Sequence, residues 1–210
     1  MESEDPMHTS HRFVRLVLVL LLATLPLAAP ARAAPTDPSG FMTTLGSRVL
    51  EIINAKDGSE DQHKQQFQQL VEQSFDLPKI AQYVLGRYWR TAPDDEKQNF
   101  TKAFETYMVG VYWSRFTGYN GETFKVIGST DEGNGTILVT TEILRPRSGQ
   151  APVKVSWSLV KSGDSFKIRD ASLEGISQAL TYRDEFASII ERNNGQVSAL
   201  ISQLNERAKG

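Results

Sequence analysis

The chain has 210 residues, no cysteine, three histidines and a formal net charge of −2 at neutral pH. That balance excludes the basic face of a nucleic-acid binder, and no polybasic patch suited to anionic membranes is present. Without cysteine there is neither a disulfide framework nor a lipidated N-terminal cysteine, so apolar burial must hold the fold.

Arg12 and Arg15 precede an apolar run from Leu16 to Ala29, and Ala31-Arg32-Ala33 places small residues at the −3 and −1 positions. The pattern predicts a secretory signal peptide over residues 1–33, cut after Ala33, and hence a periplasmic destination. The run is short of the roughly 20 apolar residues of a membrane span and is interrupted by Pro26 and Pro30; an uncleaved anchor helix is the alternative. The acidic opening MESEDP is unusual for a signal, which suggests initiation at Met7. Cleavage leaves about 180 residues, one domain's worth, able to bury roughly 70% of its unfolded surface.

Residues 34–40 are expected to form a flexible lead-in to a single domain over 41–210. Phe41, Leu45, Val49 and Ile52/Ile53 recur at helical spacing until Asp57-Gly58 breaks them. Ser59 and Gln62 form a capping box for a second helix with Phe67, Leu70, Val71 and Phe75 on its apolar face. Asp76 and Pro78 suit the start of a short third helix. A fourth is expected to begin near Thr91, with Pro93 presetting the backbone and Asp94, Asp95 and Glu96 complementing the helix dipole. Its stretch Tyr107 to Trp113 (YMVGVYW) is apolar on every side, so it must be covered on every side.

The period then changes from helical to alternating. Residues 124–127, 136–144, 153–160 and 166–173 read as four strands joined by short, turn-rich links, which predicts an antiparallel meander. Val153, Val155, Trp157 and Leu159 alternate with Lys154, Ser156 and Ser158, implying one buried face. In Ile137-Leu138-Val139 both faces are apolar, and the inward one stays open. Two helices, about 177–193 and 197–208, close the chain across Asn193-Asn194-Gly195. The expected class is α+β: six helices on one face of a four-stranded antiparallel sheet.

The chain is poor in groups that titrate near neutrality. His63 is the only histidine outside the leader and reads as a surface residue beside Lys64. A histidine-paired nucleophile, a zinc site, a G-x-S-x-G elbow and a glycine-rich phosphate loop all lack the residues they need. The acidic trio 94–96 and the pair Asp131-Glu132 read as a helix start and a hairpin turn. Neither an enzyme nor a metal or cofactor site is expected. An apolar cavity suits the residues better. The candidates for its lining are Met108, Val109, Tyr112, Trp113 and Phe116 on the fourth helix, Val126, Val139, Val155, Trp157 and Leu159 on the strands, and Phe186, Ile189 and Ile190 on the fifth helix. The competing reading makes each of them filler of a solid core.

Two motifs carry a family resemblance: Leu85-Gly86-Arg87 with Trp89-Arg90, and Glu174-Gly175-Ile176-Ser177 followed by Tyr182-Arg183 and Phe186. With their surroundings, Phe41 to Leu204, they resemble the MlaC-like or toluene-tolerance family of periplasmic phospholipid-binding proteins. FDLPKIAQYVLGRYWRTA looks most like its hopanoid-biosynthesis-associated HpnM subgroup. The resemblance implies a lipid carrier between an inner-membrane ABC transporter complex and an outer-membrane lipoprotein complex. Its cargo would be a phospholipid or a hopanoid-type lipid, with no other cofactor. A non-catalytic interaction module of a membrane-lipid or hopanoid biosynthesis complex is the alternative. Arg87, Trp89, Arg90, Tyr182 and Arg183 are the candidates for a cavity mouth that meets the headgroup, against a structural role in stacking or capping. The chain reads Ser177-Gln178-Ala179-Leu180-Thr181-Tyr182-Arg183 where relatives commonly carry Ser-Leu-Val-Gln-Asn-Tyr-Arg, so headgroup preference does not carry over.

Overall fold

The computed structural model describes residues 37–208, except residues 117, 118, 120, 147 and 148 and the side chain of Phe116. The expected signal peptide, its cut after Ala33 and residues 34–36 of the lead-in lie outside the described residues.

Helix α1 (Pro38–Asn54) starts three residues earlier than the apolar pattern indicates. The Asp37 carboxylate accepts the Gly40 N–H at 2.8 Å, and Pro38 supplies a helix-ready φ in the first turn. Residues 38–40 are therefore helix and not flexible lead-in. Helix α2 (Glu60–Ser74) opens on the expected reciprocal capping box of Ser59 and Gln62. Helix α3 (Leu77–Leu85) lacks the expected side-chain cap from Asp76, whose carboxylate instead pairs with Arg169 at 3.0 Å. Gly86, at a φ of 59°, turns the chain into a short 3-10 segment, Gly86–Arg90, that the sequence pattern did not announce. Helix α4 (Asp94–Phe116) begins on its acidic first turn, three residues beyond Thr91.

The sheet follows chain order throughout: β1 (Thr123–Gly133), β2 (Thr136–Leu144), β3 (Val153–Ser162), β4 (Ser165–Leu173) and β5 (Ile176–Ser177), each antiparallel to the next. It has a fifth, two-residue strand where four were expected. Residues Glu174 and Gly175 both take positive φ in the turn before it, and the Glu174 carboxylate accepts the Lys154 N–H at 2.8 Å. Strand β1 also runs six residues past its expected end. Its outer half is exposed on both faces and polar, so no alternation marks it. A bulge between Val126 and Gly128 leaves Ile127 exposed. Helices α5 (Gln178–Arg192) and α6 (Val197–Arg207) close the fold, with Ser177 capping α5 through the Leu180 N–H. Among the described residues no helix is long and apolar enough to cross a membrane.

Among the described residues, three apolar clusters hold these elements. One is a helical layer in which Phe100 and Phe104 of α4 meet Phe186, Ile189 and Ile190 of α5, with Leu200 and Leu204 of α6. A second joins Phe41 and Met42 of α1 to Val139, Leu159, Phe166 and Ile168 of the sheet. The third links Phe67 and Val71 of α2 to Leu77 and Val109. Phe75, at the α2–α3 junction, packs against all three. It is fixed by a bridge to Ile168 and by the neighbouring Asp76 N–H, which donates to the Ile168 carbonyl at 2.9 Å.

Gln68 of α2 donates from one amide nitrogen to Glu72 (3.0 Å) and to Glu105 of α4 (3.1 Å). Desolvation first, and the shared contact with Glu72 second, raise the Glu105 pKa above its ordinary value. A raised folded-state pKa gives stability at low pH that is lost as pH rises through it. Glu105→Gln keeps the acceptor for Gln68 and removes the repulsion, so it is expected to be more stable than wild type at pH 7. Solvent screening limits the gain to less than about 1 kcal/mol. Urea melts should show the gain shrinking as pH falls through the carboxylate range and Glu105 becomes protonated in both states; a loss of stability at pH 7 contradicts the assignment.

Candidate functional site

Between the inner face of the sheet and helices α1, α2 and α4 lies a cavity of about 430 Å³. Helix α1 lines it with Met42, Leu45, Gly46, Val49, Leu50 and Ile53, and α2 with Phe67, Leu70 and Val71. Phe104, Met108 and Tyr112 face it from α4, and Phe124, Ile143, Val155, Trp157 and Ala171 from the strands. The register explains the sheet's share, since Thr141 opposes Val155, which in turn opposes Leu173, all on one face. Even the polar group of Trp157 is consumed locally. Its indole N–H donates to the buried Thr141 hydroxyl at 2.8 Å, which donates to the Val155 carbonyl at 3.1 Å. The ring is thus left as apolar wall. Gly46 completes it: a Cβ there would collide with the Phe124 ring.

One end of the cavity is polar. Tyr112, Arg115, Asp170 and Tyr182 are close neighbours there, Tyr119, Glu122 and Gln178 also line the cavity, and Arg115 is exposed, so this polar group reaches the surface as a rim. Asp170 is tied into the scaffold: its carboxylate accepts the N–H groups of Ala171 and Ala179 at 2.8 and 2.9 Å and the Ser177 hydroxyl. Burial raises the pKa of the Tyr112 phenol, and burial with the neighbouring Tyr112 and Tyr107 raises that of Tyr182, so both stay neutral at physiological pH.

Of the residues expected to line a cavity, the fold brings Met108, Tyr112, Val155 and Trp157 to it. The others pack elsewhere. Phe186, Ile189 and Ile190 are buried in the helical layer, because the inner face of α5 rests on α3, α4 and α6. Val139 and Leu159 are fully buried beneath α1, with Val126 beside them. Val109 is packed against α2, and Trp113 stacks at a tilt on Phe67. Phe116 ends α4, and its side chain lies outside the described residues.

The expected mouth is also relocated. Tyr182 lines the cavity, whereas Arg87, Trp89, Arg90 and Arg183 are absent from its wall. Arg87 pairs with Glu191 on the outer surface, and Trp89 packs on the helical layer beneath Lys97. Arg90 is exposed at the end of the 3-10 segment. The Arg183 guanidinium lies 5.0 Å from the Tyr83 ring centre and beside Gly86, where a Cβ would meet its Nε at 3.1 Å. The two sequence motifs thus meet each other, and their glycine makes room for their arginine.

Sequence reasoning missed the contributions of α1 and α2, and it missed Arg115. Two signals were available: a glycine in the middle of an otherwise apolar stripe (Gly46), which costs about 1 kcal/mol in a helix and implies close approach, and the first charge after YMVGVYW. His63 holds the Asp57 carbonyl at 2.7 Å in a helix-start turn. Among the described residues, no cluster of three or more His, Cys, Asp or Glu could hold a metal ion.

A meander roofed by helices, with an apolar interior chamber and a polar rim, defines an α+β pocket protein suited to an amphipathic occupant. The particular family follows from comparison: the pattern of the MlaC protein family matches residues 43–206, and the chain belongs to that family. It is similar to the toluene tolerance protein ttg2D of Pseudomonas putida, at 22% identity over 192 residues, 88% of this chain and 86% of that protein. Its fold is shared with a phospholipid-binding protein from Ralstonia solanacearum, solved in complex with a phospholipid. The TM-score is 0.70 at 21% identity, covering 84% of this chain and 98% of the other.

Proposed function

We propose that this chain is a periplasmic carrier of single lipids, exported by a leader over residues 1–33, that encloses acyl chains in its apolar cavity. The cavity between α1, α2, α4 and the sheet is the observation that carries this reading. Membership of the MlaC family and the likeness to a phospholipid-binding protein support it. The physical reason for such a carrier is the cost of exposing lipid to water. Each methylene is worth about 0.8 kcal/mol, so two long acyl chains represent roughly 20 kcal/mol or more. A cavity that replaces water around the tails removes most of that barrier, while the polar rim leaves the headgroup wet. In this reading the protein exchanges cargo with an inner-membrane ABC transporter complex and an outer-membrane lipoprotein complex, and the lipid is its only cofactor-like ligand.

Solvent extraction of the purified protein followed by lipid mass spectrometry tests the reading. A phospholipid near one per molecule is expected, and a hopanoid-type lipid in its place would assign the cargo to the chemistry of the HpnM subgroup. Protein that carries no lipid and takes none up from vesicles overturns the carrier model.

A further inference from the structure

Among the described residues, four charged side chains line the cavity: Arg115, Glu122, Arg169 and Asp170. Arg169 is neutralised by Asp76 at 3.0 Å, and Asp170 is consumed by two backbone N–H groups and Ser177. Arg115 has neither a hydrogen bond nor an ion pair to another described residue. It does have a fixed seat. Its guanidinium carbon sits 5.4 Å from the Tyr112 ring centre, and it occupies the last turn of α4, where the helix carbonyls favour a cation. A guanidinium held over a ring still donates through its planar N–H fork, which matches the oxygens of a phosphate. Beside it, the half-buried neutral phenols of Tyr112 and Tyr182 supply hydroxyl groups without adding negative charge.

We infer that Arg115 is the residue that selects a phosphate-bearing headgroup at the cavity rim, with Tyr112 as its platform; the inference rests on the carrier reading above. The tails alone cannot distinguish a phospholipid from the diacylglycerol it contains. The rim does so by one charge-assisted, paired contact. Glu122, on the same rim, opposes a diffuse attraction for anions, so discrimination depends on the directed N–H groups.

The test uses full-length mature protein stripped of lipid, offered vesicles containing phosphatidylglycerol or diacylglycerol of the same chain length, with captured lipid quantified by mass spectrometry. Wild type is expected to prefer the phospholipid. Arg115→Gln should lower phospholipid capture about tenfold or more, the equivalent of one charged hydrogen-bonding contact, while diacylglycerol capture stays within about twofold. Arg115→Lys should restore only part, because an ammonium lacks the paired geometry. The side chain is exposed, so melting temperatures should match and a folding defect is separately visible. Equal capture of phospholipid by wild type and Arg115→Gln overturns the inference and leaves the carrier reading standing. Wild type that captures neither lipid overturns both. Arg115-dependent binding of inorganic phosphate without phospholipid preference reassigns the rim to a free anion and overturns the headgroup role.

Discussion

Phe186→Ala is expected to cost about 3–5 kcal/mol, a large share of the roughly 5–15 kcal/mol that holds a domain together. The ring is fully buried. Phe100 and Phe104 both stand edge-on to it, at 86° and at 6.0 and 5.8 Å, while Tyr182 stacks on it at 5.6 Å. Removing it deletes a common partner of three rings and leaves a void among them in the helical layer. For a protein of this size the melting temperature should fall by about 10 °C. Urea unfolding with an unchanged denaturant slope is the check. A cost below about 1 kcal/mol would mean that Phe186 faces adaptable space, as the cavity reading of α5 required, instead of a packed layer.

Val155→Trp is expected to do the reverse, sparing the fold and emptying the cavity. Val155 is buried, but its side chain looks into unfilled space, so a larger group meets vacancy before it meets atoms. Overpacking, which costs about 1–3 kcal/mol in a filled core, should be at the low end here. The indole displaces roughly three or four methylenes of any occupant, about 3 kcal/mol at about 0.8 kcal/mol each, or near 100-fold weaker retention. Co-purified lipid should drop sharply while the circular dichroism spectrum and melting temperature hold. Undiminished lipid in a folded Val155→Trp protein places the tails elsewhere, and undiminished cellular function in a lipid-free variant favours the interaction-module reading.

The contrast between these positions explains what the sequence could and could not disclose. Phe186 and Val155 look alike as text: apolar, regularly spaced, on an inward face. Periodicity reports that a side chain leaves water, not whether it meets another side chain or a hollow. The elements themselves were legible because local chemistry determines them. Ser59 and Gln62 close a capping box, and Val153 to Leu159 alternate as a strand with one face covered. Where a local cue had a competing partner, the reading failed. Asp76 had the chemistry of a cap, but Arg169, far off in sequence, took its carboxylate. The outer half of β1 pairs through its backbone alone and carries no apolar signature. The arginine of the Tyr-Arg pair was a sound mouth candidate by type and lies on the wrong side of α5. Only the packing of Gly86 against it, which depends on the path of two helices, decides that.

Phe75 has a consequence for how the molecule responds to its load. One side chain belongs to the helical layer, to the sheet cluster and to the α2–α4 cluster, and it also forms part of the cavity wall. An occupant touching that ring therefore touches a side chain shared by all three clusters. In the carrier reading, filling the cavity is coupled through this one ring to all three clusters.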